Sequence, residues 1–503
     1  MPSNTARIAK NTLLLYFRQI LILLVSLYTV SVVLETLGAE DYGIYNVVGG
    51  IVILFTFLNR AMTNATQRFL NYAMGQNDLE QVRNIFSISF IIHVLISILI
   101  IILAETIGLW FFYTWLNIPS ERFNAAFFVY QFSIAATVIN ILHVPYRATI
   151  IAYEKMSFFA FLSIIEVVLK LGIVFLLPLF LYDNLIVYAF LVCITGIITF
   201  FIYKIYCNRI FETARFLYCG DRKLFHKLLG FSGWNAFGGV AIIIRNHGVN
   251  ILVNIFNGVT VNAAMGIATQ VNSAIYQFVG NFQIAYSPQI IKSYSNKDYK
   301  YFLQLIFRAS KASFCLLFIF LLPVYLNTDF VLQIWLGSVP EYTVAFTRLI
   351  LLFSLAEALG APLRVSVHAT GDIKTYQLIL NCFVFANLPL SFLFLRLGFS
   401  PVIVLVMRVI LNYLAFVWYM FFCAGKIKLP VRAFFREVIA PVIAIVVISF
   451  FATIFIQNLF INNLSRLIVS CSVSSVCITL LMYLIGLNKD EKLFVKNWIK
   501  KNK

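Results

Sequence analysis

Residues 158–182, FFAFLSIIEVVLKLGIVFLLPLFLY, and residues 185–206, LIVYAFLVCITGIITFFIYKIY, are joined by only two residues, Asp183 and Asn184. Each run meets the ~20 mainly apolar residues that a helix needs to cross ~30 Å of hydrocarbon. A link that short forces the two helices to run antiparallel. Neither run alternates polar and apolar residues, which excludes the strands of a membrane barrel. The pair reads as a transmembrane hairpin, and the rest of the chain has the same character.

Of 503 residues, 61% are hydrophobic and 12% charged, against ~45–50% and ~25% in an ordinary soluble domain. This composition excludes a soluble enzyme, a disordered chain and a disulfide-stapled secreted domain. Fourteen spans are expected, at about 11–34, 43–66, 86–108, 125–147, 158–182, 185–206, 231–254, 262–286, 303–326, 345–367, 376–397, 401–424, 437–458 and 465–486. The first run is followed by no small-residue cleavage site and reads as a retained span.

Lysine and arginine set the orientation. Outside the spans, every Lys and Arg but one falls on the side of the N-terminus, and the opposite loops hold Arg122 alone. Cytoplasmic loops collect these residues, so both termini are expected in the cytoplasm, with an even number of spans. The net charge of +18 is then topological, and no nucleic-acid partner is expected. The eight cysteines form no C-x-x-C pair and the five histidines lie far apart, so no metal or cofactor is expected. No G-x-x-x-x-G-K-[ST] loop for ATP is present.

The chain repeats itself. VPYRATIIAYEKMSFFAFLSIIEVV (144–168) aligns without gaps on APLRVSVHATGDIKTYQLILNCFVF (361–385), placing Pro145 on Pro362 and Arg147 on Arg364 at an offset of 217. The loop with Asn77-Asp78 falls on that with Lys297-Asp298 at an offset of 220. The expected fold is an all-α polytopic membrane protein. Two six-helix lobes, 1–207 and 231–424, are related by a pseudo-twofold along the membrane normal. A cytoplasmic amphipathic connector (208–230) joins them, two extra helices follow (425–486), and a basic tail (487–503) ends the chain.

Polarity inside the membrane concentrates in spans 1, 2, 7 and 8. Span 8 places Gln270, Ser273, Gln277 and Asn281 at helical spacing; span 2 carries Thr56, Asn59, Arg60, Thr63 and Gln67; span 7 carries Asn235, Arg245, Asn246 and His247; span 1 carries Arg18 and Gln19. Such groups facing lipid cost several kcal/mol each, so they face protein or water. Amide stripes also glue helices together. Four polar helices in matching positions favour a hydrated cavity between the lobes.

The buried charges give that cavity a sign. Arg245 lies near mid-bilayer, where an arginine costs at least ~2.5 kcal/mol, with no acid near it in sequence. Arg18 lies about two turns into span 1, where snorkelling to the surface competes with a site role. Snorkelling is the expectation for Arg147. Glu166 and Lys170 form an i,i+4 pair that either neutralises itself or leaves Lys170 facing a ligand while Glu166 takes protons. Glu357 is either a partner for Arg364 or a coupling acid. His93 and His143 read as packed core residues. Cations outnumber acids, so the expected ligand is an anion, which guanidinium forks bind bidentately.

In layout, in the opening KNTLLLYFRQILILLVSLYTVSVVLETLGAEDYGIYNVVGGI and in the loop TQRFLNYAMGQNDLEQVRN, the chain resembles polysaccharide-biosynthesis membrane proteins. These are the O-antigen (Wzx-type) flippases of the multidrug/oligosaccharidyl-lipid/polysaccharide exporter superfamily. The resemblance covers the whole chain, with its most specific element in the LGAEDYGIYN turn (37–46). It implies alternating-access movement of a polyprenyl-pyrophosphate-linked glycan (an O-antigen, capsule or exopolysaccharide unit), with membrane lipid and other polysaccharide-assembly membrane proteins as further partners. Related peptidoglycan-precursor flippases carry cavity arginines on spans 1, 2 and 8; Arg18 and Arg60 match the first two places, whereas span 8 here has no basic residue and span 7 has Arg245. The resemblance also implies that spans 13 and 14 form a groove for the lipid tail.

The expected pyrophosphate contacts are Arg18, Arg60, Arg245 and Lys170. Asn59, Thr63, Gln67, Asn235, Asn246, Gln270, Ser273, Gln277 and Asn281 are the expected sugar contacts. No catalytic residue is expected. Two alternatives remain: a multidrug or cation exporter of the same fold, which would want lone acids at mid-bilayer, and a membrane glycan polymerase or glycosyltransferase, which usually needs a substantial external loop or a surface acidic pair.

Overall fold

The computed structural model of the chain describes residues 4–53, 57–115, 118–179, 181–487 and 492. Every regular element among them is helical. In the N-terminal half these are α1 (Asn4–Ile53), α2 (Phe57–Gly75), α3 (Leu79–Leu103), α4 (Leu109–Trp115), α5 (Phe123–Leu142), α6 (Val144–Ala152), α7 (Met156–Leu176) and α8 (Asn184–Ile210). There follow α9 (Arg222–Ser295), α10 (Tyr299–Leu326), α11 (Thr328–Leu336), α12 (Thr343–Thr370), α13 (Lys374–Arg396), α14 (Val402–Ile427), α15 (Val431–Phe434), α16 (Ala440–Gln457) and α17 (Asn463–Leu481).

Among the described residues, ten helices are long and apolar enough to cross a membrane. They correspond to spans 3–6 and 9–14. Spans 1, 2, 7 and 8, the polar ones, lie in α1, α2 and α9. Two expected links are helical instead. α1 continues through 35–42 with a break at Gly38 (φ 80°, ψ 165°), and α9 continues through 255–261 to reach 74 residues. No proline lies between Pro178 and Pro288, so no helical hydrogen bond is removed there. Asn257-Gly258 has turn-like composition, but a glycine alone costs a helix only about 1 kcal/mol.

The repeat appears in backbone detail. Asn77 (φ 57°) and Lys297 (φ 60°) both turn left-handed. In the first copy Asn77 N–H donates to Met74 O and Asp78 N–H to Ala73 O; in the second, Lys297 N–H donates to Tyr294 O and Asp298 N–H to Ser293 O. Asp78 then caps α3 by accepting from Gln81 N–H (2.9 Å), and Asp298 caps α10 by accepting from Tyr301 N–H (3.1 Å). Such a cap stabilises a helix by about 1 kcal/mol. At the offset of 217, left-handed Glu154 (φ 58°) stands where the other copy has Gly371 (φ 82°).

The chain forms two compact units, Met1–Val240 and Ala241–Lys503. Their boundary falls inside α9, after the 208–230 connector. In the first unit Ile44, Val48, Phe112, Tyr130 and Leu185 share one buried cluster. The Tyr130 hydroxyl donates to Ala104 O (2.7 Å), at a π-helical turn (Ala104–Gly108) inside span 3. Gly108 makes room for it, since a Cβ there would lie 2.1 Å from the hydroxyl oxygen. The connector is pinned to this unit. Phe211 stacks on Tyr153 (4.2 Å), the Tyr153 and Thr213 hydroxyls bond (2.8 Å), and Leu217 N–H donates to Ser87 Oγ (3.1 Å).

In the second unit α9 contributes Val249, Val253, Val261 and Met265 to a core completed by Phe346, Ile350, Leu395 and Val404. The appended helices α16 and α17 join α10 through polar contacts at both ends. Asn327 Nδ2 donates to Ser470 Oγ (3.1 Å) and Gln457 Oε1 (3.4 Å). The fully buried Lys311 donates from Nζ to Gly486 O (2.6 Å). That carbonyl ends a π-helical turn, Met482–Gly486, and a cation suits a helix C-terminus.

Candidate functional site

In the first unit, Arg18 of α1 and Arg147 of α6 place their guanidinium carbons 4.8 and 5.0 Å from the centroid of one ring, that of Phe159 on α7. Arg18 is buried, whereas Arg147 is exposed. On the same helix Lys170 Nζ donates to Glu166 Oε1 (2.8 Å), one turn apart as their spacing dictates. Tyr203 lies within electrostatic reach of Arg18, Arg147 and Glu166, and His143 within that of Glu166, Arg147 and Lys170. His143 stacks on Phe200 (5.7 Å, 16°). The Glu166 carboxylate is thus bonded by Lys170 and lies within electrostatic reach of Arg147.

The second unit has the same inventory. Arg245 of α9 and Arg408 of α14 lie 5.6 and 4.4 Å from the ring centroid of Phe353 on α12. Glu357, one turn further along α12, binds Arg364 at 3.0 Å, and Arg364 also donates to the Glu357 carbonyl (2.9 Å). Among the described residues no carboxylate pairs with Arg245 or Arg408. The Nε of each is buried without a hydrogen-bond partner among the described residues. A cation over an aromatic ring gains about 0.5–2 kcal/mol, less than the several kcal/mol that each desolvated charge costs.

The expected site residues are distributed between these sets. Arg18, Glu166 and Lys170 fall in the first set; Arg245 and Glu357 fall in the second. The side chains of Arg60, Asn59 and Asn246 lie outside the described residues. Thr63 and Gln67 are half-buried on α2, and Gln270, Ser273 and Gln277 form an exposed stripe on α9 that ends at the buried Asn281. Asn235 is buried and its Nδ2 donates to Phe231 O within the same helix (3.1 Å). The Ser273 hydroxyl likewise donates back to Thr269 O (2.8 Å), a common fate of hydroxyls in helices.

Sequence reasoning did not single out Arg408. The signal was there, an isolated arginine in VIVLVMRVILNY (402–413), of the kind that marked Arg245. Arg147, expected to snorkel, is exposed and shares a ring with Arg18. Phe159 and Phe353 carry no distinguishing mark among 51 phenylalanines. His93 is a packed core histidine, its Nδ1 donating to Ser89 O (2.6 Å).

A separate charged cluster binds the other ends of these helices. Arg122 Nε donates to Asp41 Oδ1 (2.8 Å) and its terminal nitrogens bind both Asp41 and Asp183. Asp183 also caps α8, accepting from Leu185 N–H (3.0 Å). Partial burial would raise the Asp183 carboxyl, but Arg122 and the two cap N–H groups hold it below the usual carboxylate range. Asp41 belongs to the LGAEDYGIYN turn, so that turn ties α1 to the starts of α5 and α8.

No family model matches the chain, and no curated protein sequence matches it significantly. Solved structures do share its fold. A point mutant of a MATE protein superposes with a TM-score of 0.71 at 13% identity, covering 84% of this chain and 97% of its own. An outward-facing multidrug resistance MATE family transporter of the MOP superfamily gives 0.69 at 14%, covering 84% and 96%. A MOP superfamily transporter from Pyrococcus furiosus, described as having a binding pocket of reverse polarity that suggests a different function, gives 0.69 at 14%, covering 86% and 96%. At these identities the likeness establishes the fold: this chain is built as an all-helical, multi-pass membrane protein of the MATE/MOP architecture.

Proposed function

We propose that the protein is a flippase that carries a lipid-pyrophosphate-linked oligosaccharide across a bacterial cytoplasmic membrane, with both termini on the cytoplasmic side. One observation carries this reading. In each unit a single carboxylate is already engaged by one cation, while two further guanidinium groups share a phenylalanine ring. A lipophilic cation would be repelled by both sets, which disfavours the cation-exporter alternative. Pocket polarity is also the property that suggests a different function for the Pyrococcus furiosus protein.

The division of labour follows from chemistry. In the first unit Arg18 and Arg147 bind phosphate oxygens as planar forks and Lys170 supplies a further point charge; in the second unit Arg245 is such a fork. The exposed amides Gln270 and Gln277 hydrogen-bond sugar hydroxyls, a role that a stripe on a membrane helix can fill only where water reaches it. The outward faces of α16 and α17, with Phe451, Phe455 and Val476 exposed, offer an apolar surface to a polyprenyl chain. Energy comes from an ion gradient, the membrane potential or consumption of the product.

The test is a flipping assay on reconstituted vesicles with Arg18→Ala and Arg245→Ala. Losing one charge-assisted contact of about 1.5–3 kcal/mol lowers the rate roughly 10- to 150-fold. Near-normal flipping by both variants overturns the reading. Transport of lipophilic cations by the wild type, with no glycolipid movement, gives the exporter reading its place.

A further inference from the structure

Arg408 is the seventh residue of α14, with VIVLVM before it and VILNYL after it. It lies about two turns into the helix, and its guanidinium is turned onto a ring of α12. Its guanidinium carbon lies 4.4 Å from the Phe353 centroid, and that of Arg245 lies 5.6 Å from the same point. The two charges are close enough to repel. Glu357 attracts both, but its direct contact, at 3.0 Å, is with Arg364. Three guanidinium groups therefore depend on one carboxylate, and the two without contact to it each bury an Nε that bonds nothing among the described residues. Two like charges beside one ring, both half-buried and so screened less than in bulk water, raise the energy of the unliganded protein. An anion that bonds both forks removes that cost, and phosphate oxygens match the fork geometry.

We propose that Arg245 and Arg408, with Phe353 as their shared floor, form an anion seat in the second unit that takes a phosphate or pyrophosphate group. Its physiological ligand rests on the flippase reading given above; the seat itself rests on the three side chains. Phe353 is the ring both forks lie against, and the Glu357–Arg364 pair keeps that carboxylate from filling the place of the anion.

The experiment is thermal unfolding of the purified full-length protein, titrated with inorganic pyrophosphate. Wild type is expected to melt higher as pyrophosphate is added and to show no rise with tetraphenylphosphonium at equal ionic strength. Arg408→Gln has two expected effects of opposite sign. The unliganded protein melts higher than wild type because a repulsion is gone, and the apparent Kd for pyrophosphate weakens about tenfold or more. If Arg408 only packs against Phe353, its loss lowers the melting temperature and leaves pyrophosphate binding unchanged; that result overturns the proposal. Arg408→Lys keeps the charge but not the fork, so binding weakened severalfold supports the seat and wild-type affinity overturns it. The two readings fail separately. Arg408-dependent pyrophosphate binding without glycolipid flipping keeps the seat and removes the flippase, whereas glycolipid flipping with unaltered pyrophosphate binding by both Arg408 variants does the reverse.

Discussion

In the first unit the carboxylate of Glu166 is held by Lys170 one turn away on the same helix; in the second, Glu357 is held by Arg364 two turns away. Both units then lay two more guanidinium groups on a phenylalanine. The positions are not equivalent. The repeat carries Arg147 onto Arg364, yet Arg147 shares the ring of Phe159 while Arg364 takes the acid. The platforms differ as well, Phe159 standing on α7 and Phe353 on α12. What the two units share is a charge inventory, three cations to one acid, and not a set of matched residues. An inventory kept while its positions drift is what recognition of net charge needs, and it is more than packing alone requires.

The comparison can be broken at its acids. The Lys170 and Glu166 side chains are 42% and 35% exposed, so Glu166→Gln removes a well-solvated pair that contributes roughly 0.5 kcal/mol or less. Glu357→Gln removes the carboxylate that attracts three arginines of the second unit; the Glu357 and Arg364 side chains are 30% and 29% exposed, so losing this charged contact costs about 1.5–3 kcal/mol. Chemical unfolding of the two variants in the same detergent should separate them by several-fold in ΔΔG. Equal losses would mean that the two units hold their acids in the same way.

The next effect concerns the repeat pair. Arg147 is exposed and bonds no carboxylate among the described residues, so Arg147→Gln is expected to change stability by less than about 0.5 kcal/mol. If it is a phosphate contact, flipping still falls about tenfold, the value of one charge-assisted hydrogen bond. A variant that unfolds early but transports normally would make Arg147 a structural residue rather than a phosphate contact. The assay is initial flipping rate at matched protein density.

These charges show what the sequence revealed and what it hid. Hydrophobic length placed the ten apolar spans, because a bilayer imposes one length on every helix that crosses it. The Asn77 and Lys297 turns were legible because each is followed by an aspartate that caps the next helix. The links at 35–42 and 255–261 were not, since glycine permits a break without enforcing one and only Gly38 leaves helical geometry. Arg245 and Arg408 carry the same signal, an isolated cation deep in a span. Their common ring was invisible, because Phe353 lies 108 residues from Arg245 and 55 from Arg408 in sequence.

The smallest effect expected lies at the helix starts. Asp183 accepts from Leu185 N–H at the start of α8, and 217 residues later Ser400 accepts from Val402 N–H (3.5 Å) at the start of α14. The first cap is charged and clasped by Arg122; the second is neutral. A carboxyl whose folded value lies below its unfolded value of about 3.9 contributes stability above that pH and loses it as pH falls through the folded value. Asp183 is held in that direction, so its contribution is constant from neutral pH to about 5 and fades below about 4. With Arg122 and Asp183 partly exposed, solvent screening keeps that contribution to about 1 kcal/mol or less. Asp183→Asn should flatten the acid limb of unfolding temperature against pH, whereas Ser400→Ala should lower the curve evenly at every pH, by up to about 1 kcal/mol. An unchanged acid limb in Asp183→Asn would mean that the clasp carries no proton-linked stability and that the two helix starts, unlike in charge, are alike in effect.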